Sequence, residues 1–150
     1  MRHLRYVLVN FLHQVQVLWW FFRQPHTRGV KCLIFCGDTF LLVRPSYAHR
    51  RFTIPGGGVK RYESPFEAAY RKLFEETGVR IDQLTWFGQY TQKIEYKYDT
   101  VECYYGSVTT REVHPDNFEI VEATWFYRLD IPTDCSPSVH KIFTLYDSRE

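Results

Sequence analysis

The stretch Gly57 to Val79, GGVKRYESPFEAAYRKLFEETGV, decides how this chain is read. Its centre carries the punctuation of a helix: Ser64 as N-cap, Pro65 at the first helical position, Glu67 where a capping box needs its acid, and Gly78 just past the end. Phe66, Ala69, Tyr70, Leu73 and Phe74 recur on a helical period and predict the buried face. Arg71, Lys72, Glu75 and Glu76 are left on the other side. Ahead of the helix stands Pro55-Gly56-Gly57-Gly58, where missing side chains allow backbone to approach a phosphate. A hard divalent ion is held by carboxylate and carbonyl oxygens. The adjacent Glu75 and Glu76, facing a glycine-rich turn, offer both kinds of oxygen in one place.

Outward from this stretch the hydrophobic period changes. Val30 to Phe35 and Thr39 to Val43 read as two strands around the turn Cys36-Gly37-Asp38, and Phe52 to Ile54 as a short strand running into the glycines. Downstream, Leu84 to Tyr96 and Thr100 to Val108 predict a hairpin joined near Lys97-Tyr98-Asp99. A polar loop from Thr109 to Asn117 follows, then a strand from Ala123 to Arg128. The last helix starts at Ser136-Pro137 and carries Val139, Ile142, Phe143 and Tyr146 on one face. At the other end, Leu4, Leu8, Phe11, Val15, Leu18 and Phe22 form one helical stripe, ended by Pro25. Residues 1–25 therefore read as an amphipathic helix and 26–150 as one α+β layered domain. The stripe over residues 4–22 suits packing on its own domain, a homodimer contact or a peripheral membrane contact.

Composition narrows the function classes. With 150 residues, 45% hydrophobic and 24% charged, the chain can bury one ordinary core and is neither disordered nor collagen-like. Nineteen basic against 17 acidic side chains give a net charge of +2, too even for a protein whose main task is neutralising nucleic acid. Four cysteines, Cys32, Cys36, Cys103 and Cys135, include no Cys-x-x-Cys pair and read as reduced thiols of a cytoplasmic protein. Arg44, His49, Arg50, Arg51, Lys60 and Arg61 cluster around the glycine turn and suit an anionic diphosphate, while Tyr47, Phe52, Tyr90 and Tyr105 offer rings to stack on a base. Arg44, Arg51, Phe52 and Lys72 are the substrate-binding candidates.

The spacing of Gly57, Glu63, Arg71, Leu73, Glu75, Glu76, Gly78 and Val79 resembles the Nudix box, G-x5-E-x7-R-E-U-x-E-E-x-G-U, in which U is bulky and aliphatic. Eight of nine specified positions match, a coincidence expected on the order of once in 10^5 sequences. The resemblance implies a Nudix α/β/α sandwich, with a central mixed sheet between the box helix and the C-terminal helix. It implies that Glu75 and Glu76 bind Mg²⁺ or Mn²⁺ with the Gly57 carbonyl, and that Arg71 orients a glutamate of the pair. Glu63 would support the loop and, in some members, reach the metal. A further carboxylate shortly before a late aromatic pair completes the site in many members. Glu119, ahead of Trp125-Phe126, takes that place, with Glu122 and Glu112 as alternatives.

Lys72 is the departure, since the family has there a glutamate that serves in some members as metal ligand or as the base that activates water. Three and four residues from Glu75 and Glu76, Lys72 can pair with both. It then weakens the metal site, leaves the base to another group such as Glu119, or contacts substrate phosphate. The resemblance thus implies metal-dependent hydrolysis of a nucleoside diphosphate linked to another moiety, by water attack at phosphorus. Two alternatives stand beside it: a nucleotide-sugar hydrolase acting at the sugar carbon, and a catalytically weak module that binds a nucleotide or partner.

Overall fold

Hydrophobic alternation along two central strands builds this molecule around one sheet. The computed structural model describes residues 11–19, 23, 25–47 and 50–149; Leu4, Leu8, Phe22 and His49 lie outside the described residues. Residues 11–19 form helix α1. The order continues with β1 (His26–Cys36), β2 (Thr39–Pro45), β3 (Gly56–Gly58), α2 (Pro65–Thr77), β4 (Thr85–Ile94), β5 (Lys97–Ser107), β6 (Ile120–Tyr127), a 3-10 turn (Arg128–Asp130) and α3 (Pro137–Asp147).

The sheet is mixed and six-stranded, ordered β4-β5-β1-β2-β6, with β3 also paired to β1. One edge of β1 runs parallel to β5 from His26 to Phe35. Its other edge is shared, β3 pairing at Gly29 to Lys31 and β2 at Phe35 and Cys36. Sharing that edge sets the glycines against the middle of the sheet. Successive side chains of a strand alternate between faces, so Val30, Cys32, Ile34 and Leu41 pack under Ala68, Ala69 and Leu73 of α2. Leu33, Phe40 and Leu42 pack on the opposite face against Val139, Ile142 and Phe143 of α3. Each fully buried Val, Leu, Ile or Phe among them contributes about 1.5–3 kcal/mol. Together the two faces make the α/β/α sandwich.

Four local expectations are corrected. Phe66 and Phe74 are 49% and 44% exposed, because the packed stripe of α2 is Ala68, Ala69, Leu73, Glu76 and Thr77. Two alanines seat the helix close on the sheet and turn both rings to the rim, where Phe66 meets Tyr70 edge-on and Phe74 lies under the Arg80 guanidinium. The same seating buries Glu76 rather than leaving it on the solvent side. The hairpin turns at Glu95-Tyr96, both with positive φ, two residues before the expected place. Phe52 to Ile54 forms only isolated bridges to Val43 and Cys135, and the strand here is the glycine triplet itself.

Candidate active site

Gly56 shows why the glycine strand must lack side chains. A Cβ on it would stand 2.0 Å from the Val30 carbonyl oxygen of β1, the strand β3 pairs with edge to edge. Backbone bonds from Cys32 N–H to the Pro55 carbonyl and from Val59 N–H to the Arg28 carbonyl tie both ends of the strand to β1. The Gly56 N–H donates to Glu76 Oε2 at 3.0 Å, so the buried helix end and the glycine strand are joined directly.

The capping box forms at the start of α2, with the Glu67 N–H donating to Ser64 and the Ser64 N–H to Glu67. This assigns Glu67 a structural task. One turn on, Arg71 forks onto Glu63, with Nε at 2.6 Å from Oε1 and Nη2 at 2.9 Å from Oε2. It also donates to Glu75 and to the Gly58 carbonyl, each at 3.0 Å. The guanidinium therefore orients Glu75 and clamps the glycine strand. Arg71, with help from the Lys60 N–H, pulls the Glu63 carboxyl down to about 2. Both Glu63 oxygens are engaged by this arginine.

Lys72 lies at the centre of the carboxylates. Its Nζ is 3.1 Å from Glu119, 3.5 Å from Glu76 and 3.7 Å from Glu75. Burial pushes this ammonium's pKa down, but Glu76, Glu119 and Glu75 outweigh it and raise the value. Burial likewise raises the Glu76 carboxyl, against the Gly56 N–H and the charges of Lys31 and Lys72. Lys31 approaches from β1, with Nζ bonded to the Ile54 carbonyl at 2.8 Å and to Thr53 at 3.2 Å. Glu119 is positioned by a loop device: the Asp116 carboxylate accepts the N–H groups of Phe118, Glu119 and Ile120. Glu112 pairs with His114 and Glu122 with Arg44, so Glu119 is the carboxylate this loop brings to Lys72.

The donors are right in kind for a divalent ion and wrong in arrangement. The ammonium of Lys72 stands among the oxygens the ion needs, and no group of three or more His, Cys, Asp or Glu among the described residues is arranged to hold a metal. With Lys72 in that place the residues do not fit the ion.

The substrate candidates separate into two places. Arg44 lies over the Phe52 ring at 4.0 Å and is bonded through Nε to Glu122 and through Nη1 to Asp134 and the Arg50 carbonyl, which ties it to neighbouring protein groups. Arg51 lines a hollow of about 230 Å³ with Tyr47 and Thr53, next to the cluster. Burial, then the Glu76 and Glu119 charges, raise the Tyr47 hydroxyl. Across the glycine strand runs a wider groove of about 660 Å³, lined by Gly57 and Gly58 and by Arg28, Lys31, Lys60 and Arg61. Tyr90 and Tyr105 pack against the core under α3. Arg28 and Lys31 were not singled out from the sequence, because strand β1 reads as core; the alternation of Lys31 with Val30 and Cys32 was the available signal for it.

Known proteins share this fold. The model of the Nudix domain matches residues 25–145. A Bacillus subtilis protein named "Putative 8-oxo-dGTP diphosphatase YtkD" is 32% identical over 112 residues, 75% of this chain and 68% of that protein. The crystal structure of a MutT Nudix hydrolase from Burkholderia pseudomallei superposes with a TM-score of 0.74 at 17% identity, covering 81% of this chain and 98% of the other. A MutT protein from Methanosarcina mazei gives 0.73 at 26% identity, covering 83% and 94%. The box spacing, the sandwich around it and these matches agree, and the chain belongs to the Nudix family of phosphoanhydride hydrolases.

Proposed function

We propose that this chain hydrolyses a nucleoside diphosphate linked to another moiety, with water attacking phosphorus. One juxtaposition carries the reading: the side-chain-free strand Gly56–Gly58 runs between a groove bearing Arg28, Lys31, Lys60 and Arg61 and the cluster of Glu75, Glu76 and Glu119. A diphosphate laid along the glycines meets cations on one side and carboxylates able to accept a proton from water on the other. Glu119, half exposed on its loop, is the candidate base, and Arg71 acts by holding Glu75 and the Gly58 carbonyl. The relative named for 8-oxo-dGTP also points to a nucleoside phosphate chain as substrate.

The family uses Mg²⁺ or Mn²⁺ to neutralise phosphate charge; in this chain Glu75, Glu76 and Glu119 face the Lys72 ammonium and Glu63 faces Arg71, so these cations engage the oxygens such an ion needs. Lys72 among them favours a second reading, a module that binds the nucleotide with little turnover. Four free cysteines, three of them buried, support a cytoplasmic setting.

A panel of nucleoside diphosphate derivatives, each assayed for thermal stabilisation and cleavage with and without Mg²⁺ or Mn²⁺, tests the proposal. A ligand at 100 times its Kd stabilises by about 2.7 kcal/mol, well above detection. The reading expects at least one compound both to stabilise the protein and to be cleaved. Stabilisation without cleavage selects the binding module, and neither effect across the panel overturns the proposal.

A further inference from the structure

We propose that Lys72 is a tethered cation that takes the place of a divalent ion in the carboxylate cluster. Its ammonium offers three donors, and three carboxylates meet it, Glu119 at 3.1 Å, Glu76 at 3.5 Å and Glu75 at 3.7 Å. Glu75 and Glu76 come from the last turn of α2, one turn on from Lys72, and Glu119 from a separate loop that Asp116 pins by three backbone bonds. The convergence is tertiary, beyond what helix spacing alone gives. Lys72 is also packed in. Only 12% of its side chain is exposed, and a Cβ built on Gly57 would stand 2.5 Å from Lys72 Cε. The stem thus lies on the bare face of Gly57, filling the space in front of the backbone that supplies the expected carbonyl ligand.

Charge reinforces the geometry. Lys72 faces all three carboxylates, and the Arg71 guanidinium also donates to Glu75 at 3.0 Å, so the cluster already has cationic partners. A divalent ion entering beside the ammonium meets repulsion at close range, and the ligands it needs are already engaged. The family's ion is here replaced by a side chain that cannot leave with the product. The inference goes beyond the proposed hydrolysis and holds whether or not turnover is found.

The test uses the full chain and Mn²⁺ alone, with no nucleotide, so its failure is distinguishable from failure of the proposed reaction. Mn²⁺ binding is followed by electron paramagnetic resonance for wild type, Lys72→Met and Lys72→Glu, with circular dichroism melts confirming folding. Lys72→Met removes the charge and keeps a similar volume; Lys72→Glu also adds a ligand. Both are expected to bind Mn²⁺ more tightly than wild type, Lys72→Glu by about a hundredfold or more and Lys72→Met by about tenfold. Adding Glu76→Gln to Lys72→Met should remove the gain. Wild type binding Mn²⁺ as tightly as Lys72→Met overturns the proposal, as does a gain that survives Glu76→Gln. If Lys72→Glu does not fold, the methionine variant decides alone.

Discussion

Glu76 is the residue on which fold and chemistry meet. Its Oε2 holds the glycine strand through the Gly56 N–H, its Oε1 faces Lys72, and its side chain is 5% exposed. Glu76→Gln keeps the shape but removes the charge between Lys31 and Lys72. We expect turnover to fall by about two orders of magnitude or more, with a loss of about 1–3 kcal/mol in stability. Steady-state rates and urea melts measure the two effects separately; an unchanged rate removes Glu76 from the site. Gly56→Ala is a structural counterpart. Its Cβ meets the Val30 carbonyl, a backbone atom that cannot rotate away, so a melt should show a loss beyond about 2 kcal/mol. At this scale the sequence was most legible along α2, where one-dimensional spacing becomes geometry directly: Arg71 reaches Glu75 one turn away. Lys31 was not legible, because its partners Thr53 and Ile54 lie 22 and 23 residues on, and only strand pairing brings them near.

Helix α2 is the element that sets the site, and its start can be tested alone. Ser64→Ala removes the N-cap acceptor for the Glu67 N–H and should cost about 0.5–2 kcal/mol by chemical denaturation. The backbone and hydroxyl of Ser64 hold the Glu67 carboxyl below the usual carboxylate range. A group whose folded pKa is depressed stabilises the fold above its unfolded value, about 4.3, and stops doing so as pH falls through the lowered one. Denaturation midpoints between pH 6 and acid should therefore fall less steeply for Glu67→Gln than for wild type; parallel profiles contradict this. Caps are local, which is why Ser64, Pro65 and Gly78 were readable from sequence. The face of the helix was less so, since hydrophobicity favours Phe66 and Phe74 while close packing on the sheet favours Ala68 and Ala69. The hairpin turn was hidden for a similar reason: Glu95 and Tyr96 take positive φ without the glycine or asparagine that marks such turns.

Over the whole molecule, the alternating strands and two flanking helices made the layered class readable, while the division of one β1 edge between β2 and β3 depends on pairing that no periodicity encodes. The N-terminal segment lies apart from this logic. Phe11, Val15 and Leu18 of α1 are each about half or more exposed, and the first 37 residues contain no Asp or Glu. Deleting residues 1–23 should change assembly or surface binding more than turnover, read by light scattering and by sedimentation with anionic liposomes. Equal mass and equal liposome binding would mean that the helix serves only its own domain. The reaction itself is tested most directly by running it in ¹⁸O-labelled water on a compound cleaved in the nucleotide panel and taking the ³¹P spectrum of the products. Water attack at phosphorus places the label on a phosphate product, seen as an isotope-shifted resonance. Label found only on the sugar hydroxyl, with unshifted phosphorus signals, would contradict the account and assign the chain to cleavage at carbon.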